Sequence, residues 1–171
     1  MIKKWIPNLL TFANLSFGIF SIISAFKHNF IFGAAFILIA ALIDRYDGRI
    51  ARLLNVSSEL GKELDSLSDL ISFGVAPSLL LLIKYAPLSN IYIIDIGFVL
   101  LYIICGAYRL ARYNTSTFNG IFTGVPITIT GSLLALFSFS TPANSIYYLV
   151  STILLVSFSY LMISKLEFKK L

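Results

Sequence analysis

Apolar residues run through this chain in six long stretches, 6–26, 30–53, 60–85, 91–113, 124–141 and 145–163, separated by short polar or turn-forming breaks. The breaks are Lys27-His28-Asn29, Asn55-Val56-Ser57-Ser58, Ala86-Pro87-Leu88-Ser89-Asn90, the segment 114–120, and Thr141-Pro142-Ala143-Asn144. Each stretch is close to the roughly 20 residues that a helix needs to cross the hydrocarbon core of a bilayer. The pattern predicts an all-α integral membrane protein with six transmembrane helices. Nearly every residue is needed for the spans, so 1–171 is expected to be a single membrane domain.

Composition agrees: 58% of the 171 residues are hydrophobic and 12% are charged, with a mean hydropathy of +0.89. An ordinary soluble domain is excluded. The net charge of +5 would suit nucleic acid, but its distribution points to topology instead, and no nucleic-acid partner is expected. With six spans the two termini share a side. Lys3, Lys4, Arg45, Arg49, Arg52, Lys62, Arg109, Arg112, Lys165, Lys169 and Lys170 fall on that side, leaving Lys27 and Lys84 opposite. The positive-inside rule then places both termini in the cytoplasm, in a multi-pass protein of the cell membrane. The lone Cys105 can form no intrachain disulfide. Met-Ile-Lys-Lys-Trp lacks a small-residue cleavage site after its apolar run, so the first stretch is expected to be an uncleaved span.

One region breaks the apolar pattern. Six of the eight acidic residues lie between Asp44 and Asp69. Asp44 and Asp47 are three apart, Asp65 and Asp69 four apart, so each pair shares one helix face. Carboxylates converging near a membrane repel one another and need positive compensation. Four of them on two adjacent helices form a hard oxygen set suited to Mg²⁺, Mn²⁺ or Ca²⁺, with room for two ions about 4 Å apart. His28 is distant and Cys105 alone, so an imidazole or thiolate zinc site is unsupported. Gly48, Gly61 and Ala51 leave bare backbone beside the acids, while Arg49 and Arg52 offer phosphate donors. Together these residues describe a site for a phosphoanhydride, reached from the cytoplasm. A cation-conducting protein also carries acids in its spans, but that reading leaves the glycines, the alanine and the arginine at fixed offsets unexplained.

The spacing D-x2-D-G-x2-A-R-x8-G-x3-D-x3-D over 44–69 resembles, at every defined position, the signature of the CDP-alcohol phosphatidyltransferases. The resemblance implies that Asp44, Asp47, Asp65 and Asp69 hold two divalent cations, Mg²⁺ or Mn²⁺. It also implies that Asp69, besides touching metal, is the catalytic base. Gly48, Ala51, Arg52 and Gly61 would frame the CDP-lipid. Asn8, Thr11 and Asn14 share a helix face, which by periodicity alone reads as capping or bonding between spans. The similarity of Pro7-Asn8-x-x-Thr11 to the family's entry to its first helix implies instead that Asn8 and Thr11 contact nucleotide.

Further strings, Asn14-Leu15-x-x-Gly18, Ser72-Phe73-Gly74-Val75-Ala76-Pro77, Cys105 to Asn114 and Phe122-Thr123-Gly124-Val125-Pro126, are similar to the phosphatidylserine synthase branch. Without the resemblance, Arg109 and Arg112 read equally well as interfacial arginines that snorkel to headgroups. With it they, together with Ser72, become acceptor- and phosphate-binding candidates. The implied reaction moves a phosphatidyl group, or its archaetidyl ether counterpart, from CDP-diacylglycerol or CDP-archaeol to the hydroxyl of L-serine, releasing CMP. Glycerol 3-phosphate and an inositol phosphate are the rival acceptors. Family membership also implies a homodimer among membrane lipids. Glu59 and Glu63 are expected to solvate a helix start, and Asp95 to mark an exterior edge.

Overall fold

A computed structural model describes residues 5–53, 58–88, 91–115, 121–165 and 167–169. All six apolar stretches are helical. Helices α1 (Trp5–Phe26) and α2 (Phe30–Leu53) form an antiparallel pair, followed by α3 (Glu59–Asp69), a π-helical turn (Leu70–Val75) and α4 (Ala76–Tyr85) as one continuous rod. Then come α5 (Tyr92–Thr115), strand β1 (Ile121–Thr123), α6 (Ile127–Ser140), α7 (Ser145–Ile163) and strand β2 (Glu167–Lys169).

Among the described residues, four helical segments are long and apolar enough to cross a membrane: Pro7–Phe26, Glu59–Tyr85, Tyr92–Thr115 and Ser145–Ile163. The chain is thus a helical protein of membrane character. Among the other two, α2 has the length, 24 residues, but its last turns carry Asp44, Arg45, Asp47, Arg49 and Arg52. Helix α6 is only 14 residues long. The pairing of β1 with β2, antiparallel with Phe122 opposite Phe168, adds a short ribbon to the helices expected from sequence.

Local chemistry sets the ends of these elements. The α1–α2 turn is a Schellman closure: Asn29 N–H bonds Ser24 O at 2.9 Å and His28 N–H bonds Ala25 O at 2.9 Å. His28 takes the left-handed position, φ 57°, where glycine is usual. Ser58 caps α3 by accepting from Gly61 N–H at 3.0 Å, and Asn144 caps α7 by accepting from Tyr147 N–H at 3.0 Å.

The α3–α4 rod is the axis of the bundle. Of its apolar window 61% is buried, against 28%, 39% and 22% for the windows in α1, α5 and α7. Phe73, Ala76, Leu80 and Leu81 of the rod meet Ala34, Ile37 and Ala40 of α2, Tyr102 of α5 and Leu134 of α6 in one buried cluster. At the end of the bundle opposite the acidic motif, Lys84 terminates α6. Its Nζ donates to Ser138 O and to Thr141 O at 2.6 Å, under the rings of Tyr85 and Phe30. Asp95 is buried between helices. It lies in the first turn of α5, only 6% exposed, and accepts a 2.8 Å bond from the Tyr148 hydroxyl of α7. The α5–α7 seam covers it, and a helix N-terminus favours a carboxylate there.

Candidate metal and substrate site

The helical spacings seen in the sequence become a physical cluster where the end of α2 faces the start of the α3–α4 rod. One carboxylate oxygen from each of Asp44, Asp47 and Asp65 lies within 4.8 Å of the others. The Asp69 carboxylate, on the next turn of α3, lies beside that of Asp44, close enough for the two to interact. Asp47 and Asp69 are both buried, at 4% and 8% exposure. Oδ1 of Asp65 is buried with no hydrogen-bond partner. An orphaned carboxylate oxygen among three others is a costly arrangement in the absence of a cation. This donor set fits a hard divalent ion.

Helix α1 lies along this cluster and orders it. The Thr11 hydroxyl is within bonding distance of Asp47 Oδ2, at 3.3 Å, and of Pro7 O one turn back, at 3.2 Å. Asn14 Nδ2 donates to Asp69 Oδ1 at 3.3 Å. In return, the rod reaches α1 through Ser68 Oγ, which donates to Thr11 O at 3.1 Å, and Ser72 Oγ, which donates to Asn14 O at 3.0 Å. Positions 11, 14 and 18 are one face of α1, and 68 and 72 one face of the rod. At position 18 only glycine fits, because a Cβ there would overlap Ser72. The first turn of α6 closes the far side, with the Thr128 side chain hydrogen-bonded to Asp44.

The other expected site residues fall into two groups. Asn8 joins the site: a Cβ on Gly61 would lie 3.4 Å from Asn8 Oδ1, so the starts of α1 and α3 meet across bare backbone. Gly48 is exposed and has open space around its Cα. Ala51 and Arg52 lie on the last turn of α2, with side chains outside the described residues. Arg109 is 8% exposed, is close enough to Asp69 to interact with its charge, and has an Nε with no hydrogen-bond partner. The two remaining candidates face protein backbone. Arg112 donates to Ile163 O at 3.3 Å and Met162 O at 3.4 Å, capping the end of α7, and the Ser72 hydroxyl is directed to α1 as described.

Two groups at the carboxylates were not among the site residues expected from sequence, Asn14 and Thr128. The signal for Asn14 was its place one turn after Thr11 on the same face. Thr128 had no comparable signal, because its partner Asp44 is 84 positions away in the chain.

Comparison with known proteins agrees with this geometry. Residues 4–165 match the family model described as CDP-alcohol phosphatidyltransferase. A Bacillus subtilis protein named CDP-diacylglycerol–serine O-phosphatidyltransferase is 38% identical over 167 residues, covering 96% of this chain and 90% of the relative. Proteins of the same name from Methanocaldococcus jannaschii and Helicobacter pylori are each 40% identical over 134 residues. Those matches cover 78% and 76% of this chain, and 62% and 55% of the relatives. With the family signature complete and its carboxylates assembled on facing helices, this chain belongs to the CDP-alcohol phosphatidyltransferase family.

Proposed function

We propose that this protein transfers the phosphatidyl group of CDP-diacylglycerol to the hydroxyl of L-serine, releasing CMP and forming phosphatidylserine. The observation that carries the reading is the complete eight-residue signature, with carboxylate oxygens of Asp44, Asp47 and Asp65 within 4.8 Å of one another, in a chain 38% identical across nearly the whole of a relative of that name. CDP-archaeol is the ether-lipid form of the same donor.

Asp44, Asp47, Asp65 and Asp69 would hold two divalent cations, Mg²⁺ or Mn²⁺, which supply charge neutralisation to the diphosphate and the departing CMP. The chain's own residues do the rest. Asn8, Thr11, Gly48, Ala51, Arg52 and Gly61 frame the nucleotide, the glycines and alanine by letting it lie against backbone. Arg109, with a free Nε beside Asp69, receives the serine carboxylate. Asp69 takes the proton of the serine hydroxyl while Asn14 holds its other oxygen. The serine oxygen bonds to the lipid-side phosphorus as the phosphoanhydride P–O bond breaks, and the electron pair leaves on CMP. Arg112 and Ser72, which bond backbone carbonyls, support the acceptor side of the site.

In the same reading α2 and α6 complete six crossings, 1–171 is one domain, and both termini and the active site face the cytoplasm, in a homodimer in the cell membrane. The eleven-to-two partition of basic residues supports that orientation. The test is release of labelled CMP from CDP-diacylglycerol by purified protein in detergent with Mn²⁺ or Mg²⁺. Serine-dependent release abolished by a chelator is expected. Release with glycerol 3-phosphate or inositol phosphate but not serine would overturn the acceptor, and cation flux into liposomes without CMP release would overturn the reaction.

A further inference from the structure

The rod that carries Asp65 and Asp69 is not one α-helix. It opens into the π turn Leu70–Val75 directly after Asp69, with Ala76 N–H bonded to Ile71 O. The cause lies just downstream. Pro77 has no N–H, and in an α-helix its ring would collide with the carbonyl four residues earlier, that of Phe73. A wider turn relieves the collision, while the missing N–H of Pro77 denies Phe73 O the donor that an α-helix would supply from that position. Phe73 is fully buried, so an unmet carbonyl there would be costly.

The missing donor comes from another helix. Tyr102 of α5, itself fully buried, donates its hydroxyl to Phe73 O at 3.1 Å. The Tyr102 hydroxyl oxygen lies 2.9 Å from Thr130 Oγ1 of α6, which is itself within 3.1 Å of Ile127 O. Next to it, Gly131 presents bare backbone to the turn: a Cβ there would come within 2.5 Å of Phe73 O and 2.7 Å of Phe73 Cβ. One residue earlier, Ser72 is bonded to Asn14 O of α1. Consecutive residues of the π turn are therefore pinned on opposite flanks, one by α1 and the other by α5 and α6.

A π turn spends one residue more than an α turn, so it rotates everything N-terminal to it by about 100° relative to an unbroken helix. Below this turn stand Asp65 and Asp69; above it, α4 is locked into the core. We infer that Tyr102, with Thr130 as its partner, is a positioning residue for the carboxylate site: its hydroxyl stabilises the turn that Pro77 imposes and so sets the angle at which Asp65 and Asp69 meet Asp44 and Asp47. The inference rests on the proposed binding of divalent cations by those four residues.

Mn²⁺ alone is the probe, its binding to the full chain in detergent followed by electron paramagnetic resonance, alongside thermal unfolding and hydrogen exchange over residues 70–78. Tyr102→Phe keeps the ring and removes the donor. It is expected to weaken Mn²⁺ binding by the folded protein about tenfold, the equivalent of one net hydrogen bond, and to speed exchange in the π turn. In a Pro77→Ala background, where residue 77 regains an N–H for Phe73 O, the same change is expected to cost less than about threefold. A tyrosine that only stabilised the fold would lower the unfolding temperature in both backgrounds and leave the Mn²⁺ affinity of the folded protein unchanged, which would overturn the inference. If Tyr102→Phe does not fold, Thr130→Val is read in the same way, a weakened affinity supporting the inference and an unchanged one overturning it. If the unmodified chain binds no Mn²⁺, the metal reading fails separately, and exchange decides the latch: faster in Tyr102→Phe supports it, unchanged exchange overturns it.

Discussion

Asp69 differs from the other three aspartates in what surrounds it. Asn14 donates to one of its oxygens, the Asp44 carboxylate lies beside it, and the Arg109 charge is nearby. A base with its own positioning donor predicts a specific split. Asp69→Asn is expected to retain most CDP-lipid binding while turnover falls about 10²-fold or more, measured by equilibrium binding against CMP release; equal losses would remove the special role. Asn14→Leu, near in volume but unable to donate, is expected to lower kcat about tenfold with a smaller change in the KM for CDP-lipid. The sequence made the acids legible because helical spacing reports which residues share a face. It did not report which partner sits opposite, and so the bonds from Asn14 and Thr128 emerge only from the packing of α1 and α6 onto the site.

Hydropathy located the six helical stretches, because each is apolar over most of its length, even though α3 and the last turns of α2 are polar. What it could not register was the interior of the third stretch. One proline is weak evidence for a π turn, since whether a helix kinks, breaks or widens there depends on who supplies the lost donor, and that donor is Tyr102, 29 positions on from Phe73. The β1–β2 ribbon was invisible for a related reason: two three-residue strands carry too little pattern to be paired across the intervening helices α6 and α7. The α1–rod contact yields a prediction at this scale. Gly18→Ala would force a methyl group into Ser72, pushing the rod that carries Asp69 away from α1, whose Thr11 and Asn14 bond Asp47 and Asp69. A loss of about 1–3 kcal/mol in stability is expected, read as a lower unfolding temperature in detergent, with activity falling in the fraction that remains folded.

For the whole molecule the chief asymmetry is end to end. Among the described residues, the carboxylates gather with Arg45, Arg49, Lys62, Arg109 and Arg112 at one end of the bundle, while Lys27 and Lys84 mark the other. In a background with the buried Cys105 replaced by serine, a cysteine at exposed position 28 should react with a membrane-impermeant reagent added to intact cells. One at exposed position 165 should react only after permeabilisation. Reaction of both from outside would refute the shared orientation of the termini. Helix α6 adds a consequence for the surrounding lipid. Its 14 residues reach about 21 Å, well short of the roughly 30 Å hydrocarbon slab, and both of its ends are held, by Lys84 at one and by the Thr128 contact with Asp44 at the other. In the proposed six-span arrangement, a helix fixed at both ends would not relieve such hydrophobic mismatch by sliding, and local thinning of the bilayer is the expected response. Thinning would draw the headgroup plane towards the carboxylates, letting a lipid-linked diphosphate arrive there without lifting its acyl chains out of the membrane. Turnover in vesicles is accordingly expected to decline as the host lipid's chains lengthen, which makes membrane thickness a control on this enzyme's rate.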